Sequence, residues 1–229
     1  MPPLPAPLRA GIGVSAAALA VNLVAAVLHD SGVGEAALLE LVRGVTMWAL
    51  VPPIAIALAI LGALRHPVGV WHVIALALCW LGDGLGSITD QTGVLLGLFF
   101  LATLAYIVAL WPTRRRSLAW GWGGAGYGAV GLIAGGVIAS NAAMLAAPGL
   151  LYALLLSGMA ALAAIDTPGL LGGLLFQATV LVLGIGLFLI EIPDAVRAIA
   201  VLVLYLGAQA LLAVSLQQRL GLGAAESSD

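Results

Sequence analysis

Apolar runs of about 20 residues, the length that spans a bilayer as a helix, recur along this chain and constrain its fold more than any other feature. Cutting wherever polar residues, Gly or Pro interrupt them leaves eight segments, at about 9–28, 40–64, 68–88, 92–111, 118–140, 143–164, 168–190 and 195–216. Composition supports lipid as the surroundings. The chain is 63% hydrophobic and 8% charged, with mean hydropathy +1.18, whereas a soluble domain carries roughly 25% charged residues. The expected fold class is all-α integral membrane protein, a bundle of eight transmembrane helices forming a single polytopic domain over residues 1–229. The first segment follows Arg9 and has no clear small-x-small cleavage site before His29-Asp30, so it reads as a retained helix rather than a signal peptide.

All basic residues are Arg and none is Lys, which with the Ala, Gly and Leu excess points to a GC-rich bacterial genome. A net charge of -2 offers no basic patch, which argues against nucleic acid as a partner. Short cytoplasmic loops accumulate positive charge. An even helix count with a cytoplasmic N-terminus places Arg9, Arg65, Arg114, Arg115, Arg116 and Arg219 inside, leaving Arg43 and Arg197 outside. The outer side then collects Asp30, Glu35, Glu40, Asp90, Glu191 and Asp194. The expected location is a bacterial cytoplasmic membrane, multi-pass, with both termini cytoplasmic; the short Ser-Ser-Asp tail reads as a solvated terminus.

One internal similarity stands out. Gly93 to Thr103 reads GVLLGLFFLAT and Gly169 to Thr179 reads GLLGGLLFQAT, agreeing at seven of eleven positions without a gap. These are the fourth and seventh segments, and an offset of three helices would make a true duplication an inverted-topology repeat. Chance matching in a small apolar alphabet is the alternative. In the fifth segment, Gly124-x-x-x-Gly128 and Gly131-x-x-x-Gly135 put small residues on one face, favouring close helix packing. Trp120, Trp122 and Tyr127 read as an interfacial aromatic belt.

Few ionisable groups fall inside the apolar runs. Asp83 is the clearest, in Trp80-Leu81-Gly82-Asp83-Gly84-Leu85 near the outer end of the third segment, followed by Ser87, Thr89 and Asp90. A carboxyl is costly in a membrane and marks a functional site by default; in a low-dielectric setting it is a candidate proton donor. The alternatives are a cap for the following segment or an interfacial pair with an arginine. Glu40 and Arg43 share a helix face and read first as an interfacial ion pair, second as a contact to a ligand phosphate. Tyr106, Tyr152, Tyr205, Gln177 and Gln209 lie in midspan, where each needs a hydrogen-bond partner, and taken singly each reads as glue between helices. Cys79, the single cysteine, reads as a packing residue. His29, His66 and His72 fall near segment ends, no cluster has metal-ligand spacing, and nothing calls for a cofactor or a metal.

Several short motifs together resemble the YhhN-type lysoplasmalogenase family. They are Gly82-Asp83 after an apolar run, the Gly-x-Phe-Phe-x-x-x-x-x-Tyr stretch from Gly97 to Tyr106, Tyr205-x-x-x-Gln209, and Val45-Thr46-Met47-Trp48-Ala49-Leu50-Val51-Pro52, which is similar to that family's V-T-K-P-L-L-M-P. The chain departs from the pattern at Met47-Trp48, where the family has Lys-Pro, at Thr103, where it has His, and at Thr179-Val180, where it has Ser-Asp. The resemblance implies a hydrolase that splits the vinyl ether bond of lysoplasmalogens into a fatty aldehyde and a glycerophospho head group, with Asp83 as the catalytic residue. Arg43, Thr103, Tyr106, Gln177, Tyr205 and Gln209 are then the candidate substrate-binding residues, and the partner is a membrane lipid or lysolipid. The expected pocket lies among segments two, three, four, seven and eight, open toward the outer half of the membrane, with Asp83 facing it and segment five packed outside it through its glycines.

Two further classes stay open, a catalytically silent relative that binds lipid or serves a structural role and, suggested by the internal similarity alone, a small-molecule transporter.

Overall fold

Pro52 and Pro53 set the shape of the second crossing. Neither has an N–H to give to the carbonyl four residues back, so the helix that starts at Ala36 stops at Trp48 and a second begins at Pro52. The Trp48 carbonyl freed by Pro52 accepts instead from the Trp80 indole N–H at 3.0 Å, and the two indoles meet edge to face with centroids 5.2 Å apart. In lipid a broken helix is tolerated where a neighbour satisfies the freed group in this way.

This computed structural model describes residues 3–89, 92–142 and 146–223. Asp90 and the Ser-Ser-Asp tail lie outside them. The elements are α1 (Ala6–Asp30), α2 (Ala36–Trp48), α3 (Pro52–Ile60), α4 (Pro67–Thr89), α5 (Thr92–Leu110), α6 (Trp122–Ala139), α7 (Ala146–Ala163), α8 (Thr167–Phe188) and α9 (Asp194–Leu220). With α2 and α3 counted as one crossing, 8 helical units are long and apolar enough to span a membrane. The fold class is therefore the expected one, an all-α bundle with eight candidate spans and no strand among the described residues.

Helices adjacent in sequence pack as antiparallel neighbours, α4 along α5, α6 along α7, α8 along α9, and α1 against both halves of the second crossing. The chain closes on itself where α1 meets α9. At one end Gly223 approaches Pro5 and Leu61; at the other the Ala195 N–H donates to Asp30 at 3.3 Å. The described ends of the chain thus lie together, at the end of the bundle that also carries Arg65 and the arginine triplet. That end is pinned by Asp166, which caps α8 through the Gly169 N–H at 2.7 Å, accepts from Ser215 of α9 at 2.7 Å, and pairs with Arg219 at 3.5 Å.

The turn into α8 has a counterpart one hundred residues earlier. A β-carbon on Gly169 would sit 2.1 Å from the Ala163 carbonyl oxygen, and one on Gly69 would sit 2.1 Å from that of Ala63. The same six-residue spacing thus leads into α4 and into α8. In the stretches Gly93 to Thr103 and Gly169 to Thr179, Thr103 and Thr179 bond back to the Phe99 and Leu175 carbonyls alike, at 2.9 and 2.8 Å. Their aromatic residues differ in surroundings. Phe100 stands against Tyr152, whereas Phe176 stands among Phe99, Tyr106 and Tyr205.

In α6, Gly131 and Gly135 press against Ser157 and Ala153 of α7, as expected for a packing face, while Gly128 meets nothing within 4 Å. The tightest approach to an aromatic is at Gly84, where a β-carbon would fall 2.3 Å from the Trp48 ring. Trp48 is held in place by Trp80, so it cannot yield. Gly84→Ala should lower unfolding stability in detergent by about 1–3 kcal/mol, the range for overpacking a core. Gly97→Ala, at a position with open space around the missing β-carbon, should leave the melting temperature near that of the wild type.

Candidate functional site

Asp83 and Cys79 stand four residues apart on α4, and Tyr205 and Gln209 stand four apart on α9, so each pair shares one helix face. The two faces meet. The Tyr205 hydroxyl donates to Asp83 Oδ2 at 2.8 Å, and one turn along, Gln209 Nε2 donates to Cys79 Sγ at 3.3 Å. Tyr106 of α5 completes the second rung by donating to Gln209 Oε1. His72, two further turns down α4, lies edge-on to the Tyr106 ring with centroids 4.9 Å apart. All of these groups are buried.

Phe99 and Phe176 fill the space between the rungs, packing on Tyr205 at 5.6 and 6.2 Å between centroids, and Phe176 reaches Tyr106 at 6.1 Å. Such aromatic contacts add to the burial of the rings themselves. The result is a polar ladder with an aromatic sheath, formed by α4, α5, α8 and α9. It can hold a proton on a carboxyl beside a phenol.

The candidate residues fall into three places. Asp83, Tyr106, Tyr205 and Gln209 belong to the ladder. Gln177 of α8 is turned toward α7, donating to Ser157 Oγ at 2.7 Å. It lines a 360 Å³ cavity enclosed by α5, α6, α7 and α8, with Tyr152 and Val180 also in its wall. Thr103 is fully buried, and its hydroxyl donates to the Phe99 carbonyl at 2.9 Å beside Tyr152. Arg43 belongs to neither. It lines a 620 Å³ pocket at the Asp30 end of the bundle, together with Asn22, His29, Asp30, Glu40 and Met47. Asp83 is not among the residues lining either space.

Three expectations need correction. The cavity is built by the fourth to seventh crossings rather than by two, three, four, seven and eight, and the fifth crossing is part of its wall through Gly131 and Gly135. Glycines that let α6 approach α7 also leave room beside the contact. Glu40 approaches His29 at 3.6 Å rather than pairing with Arg43. The break after Trp48 and the Asn22 side chain, which donates to the Arg43 carbonyl at 3.0 Å and to Thr46 Oγ1 at 2.7 Å, fix α2 against α1. Asp83, expected to face the pocket, lines neither space and is buried against Tyr205. Sequence reasoning also passed over Cys79 as a ladder member and Ser157 as the partner of Gln177. The four-residue spacing of Cys79 to Asp83, matched by that of Tyr205 to Gln209, was the available signal for the ladder.

Polar bonds between helices in lipid are worth about 0.6–1.7 kcal/mol each by double-mutant cycles. Gln209→Leu, which strands the Tyr106 hydroxyl, should cost more than Tyr106→Phe. The double variant should fall short of the sum by about 1 kcal/mol, measured by unfolding in mixed micelles. Additivity would mean that the bond contributes nothing.

A model of the YhhN family matches residues 46–216. No curated protein and no solved structure matches the chain.

Proposed function

Because the chain belongs to the YhhN family, we propose that it is a membrane hydrolase of the lysoplasmalogenase type, opening the vinyl ether bond of a lysoplasmalogen or related ether lysolipid. The observation that carries this reading is the Asp83–Tyr205 bond inside the family's Gly-Asp motif. A carboxyl so placed supports proton donation, with Tyr205 holding its orientation and ready to stabilise the carboxylate left behind. Asp83 gives its proton to the vinyl ether carbon and forms an oxocarbenium ion. Water adds to that ion and loses a proton, which restores the acid, and the hemiacetal collapses to a fatty aldehyde and the free alcohol of the glycerophospho head group. The pocket around Arg43 supports placing a phosphate-bearing head group there, because Arg43 and Arg197 both line it at the Asp30 end of the bundle. The arginine distribution supports placing that end outside a bacterial cytoplasmic membrane and both termini inside.

A second reading, a silent relative that binds lipid without cleaving it, is favoured by Val180. This valine stands where the family carries an acid, and it lines the cavity of α5 to α8. The two readings differ in turnover.

For the hydrolase, purified protein should release aldehyde from a lysoplasmalogen, and Asp83→Asn should slow release at least about a hundredfold. Tyr205→Phe should lower kcat less, because the acid itself remains. Turnover unchanged in Asp83→Asn removes Asp83 from the chemistry. Folded protein that binds lysolipid without cleaving it establishes the silent relative, and Val180→Asp with Thr103→His and Met47→Lys should then raise activity if the scaffold has only lost its ionisable groups.

A further inference from the structure

Asn22 stands in the wall of the 620 Å³ pocket at the Asp30 end of the bundle, although the residue is only 2% exposed. Its amide is held in one orientation. The Thr46 hydroxyl sends its proton back to a carbonyl of its own helix, that of Val42 at 2.7 Å or of Arg43 at 3.0 Å, and so faces Asn22 as an acceptor. The Arg43 carbonyl is a second acceptor. Both require the amide nitrogen, which donates to Thr46 Oγ1 at 2.7 Å and to the Arg43 carbonyl at 3.0 Å and so commits both of its protons. What is left is Asn22 Oδ1, an acceptor to which no group among the described residues donates. The buried polar atoms sealed without a partner belong to Ser15, His72 and Tyr152, and Asn22 Oδ1 is not one of them. It opens on the pocket, where a ligand can donate to it.

We propose that Asn22 Oδ1 accepts the free glycerol hydroxyl of a single-chain glycerophospholipid, and so selects a lysolipid over a two-chain lipid. The inference rests on the reading of this pocket as a head-group site and deepens it. Arg43 and Arg197 line the pocket, and Asn22 is bonded to the backbone of Arg43 itself. A phosphate on the guanidiniums therefore brings the glycerol carbons close to Asn22. Met47, Leu183, Val201 and Leu202 supply an apolar stretch of wall along which one chain can leave. An ammonium suits the same oxygen poorly, because it would lie beside the positive charge of Arg43, whereas a hydroxyl is a neutral donor. Esterifying that hydroxyl removes its proton and sets an ester oxygen against Oδ1, two acceptors with nothing to share. A site built to bond a hydroxyl discriminates against the analogue that lacks it.

The test uses the full chain in phosphatidylcholine nanodiscs, a lysophosphatidylcholine with a diazirine in its acyl chain as photoprobe, and peptide mapping of the label. The label should fall on peptides carrying Met47 or Val201. Lysophosphatidylcholine should compete about tenfold better than its 2-deoxy analogue, in which hydrogen replaces the glycerol hydroxyl. Glycerol 3-phosphate at the same concentration should not compete, since it lacks the chain that the apolar wall receives. Arg43→Gln should weaken both lipid competitors alike, by about tenfold. Asn22→Ala should erase the preference, bringing lysophosphatidylcholine down to the level of the 2-deoxy analogue, which keeps its wild-type strength. Thr46→Val, which takes a partner from the amide nitrogen and leaves Oδ1 in place, should lower the melting temperature and keep the preference, a separation that an asparagine serving only to join helices would not give. Equal competition by the two lipids in the wild type, which needs no variant to fold, overturns the proposal. A preference that survives Asn22→Ala, label confined to peptides outside the pocket, or equal competition by glycerol 3-phosphate overturns it too. If the preference fails while Arg43→Gln still weakens both lipids, the head-group reading stands without Asn22. None of these ligands has a vinyl ether, so a chain that shows the preference and releases no aldehyde from a lysoplasmalogen removes the hydrolase reading and leaves this one standing.

Discussion

Lipid offers a buried polar group no water, so each such group must find its partner within the bundle, and the Tyr205–Asp83 bond is where that requirement shapes this protein most. A carboxyl and a phenol on different helices fix the rotation of both helices at once. With Asp83 facing Tyr205, Cys79 must face Gln209 one turn away, and Gln209 then presents its carbonyl to Tyr106 on α5. The packing of Phe99 and Phe176 follows, since they occupy the volume that these three helices and α8 leave between them. The same requirement explains the second crossing, where Pro52 frees the Trp48 carbonyl and Trp80, three residues before Asp83, supplies its donor. One turn of α4 therefore holds both the broken crossing and the acidic centre, and Gly84 is small because Trp48 lies over it.

The crossings were legible because apolar length is a one-dimensional property. Eight segments cut from hydropathy became eight helical units. What hydropathy cannot register is a break whose flanks are equally apolar. Ala49, Leu50 and Val51 are as hydrophobic as any helix interior, and only the paired prolines after them signal the interruption. The burial of Asp83 was legible for a similar reason, since a carboxylate within an apolar run is conspicuous wherever it points. Its partner was visible only as a pattern, two residues four apart on α4 and two four apart on α9, and nothing local says which faces meet. That is decided by packing over more than a hundred residues of sequence separation.

The placement of the cavity was the part least available from the chain. Paired glycines in α6 say that a helix comes close, and one does, at Ser157 and Ala153. They do not say that glycine also leaves a hollow when the facing side chains are small or turn away. Gly93 and Gly97 of α5 and Gly149 of α7 have that second effect, having open space where their side chains would be. A single residue type thus serves both contact and vacancy around the same cavity.

Two of the positions at which the resemblance noted in the sequence implies ionisable residues come together. Thr103 and Val180 lie beside or within the wall of one cavity, on two helices that both pack on α7. Both are neutral, and the space they border has no charged residue in its lining. A lone ionisable group in such a wall would need a partner that the lining does not offer, at a cost that lipid makes heavy. Asp83 escapes this pattern because it is not in that wall and has Tyr205 as a partner. The polar ladder and the apolar cavity are therefore separable features of one bundle, divided by Phe99 and Phe176, and the ladder can keep its acid whatever the cavity has come to hold.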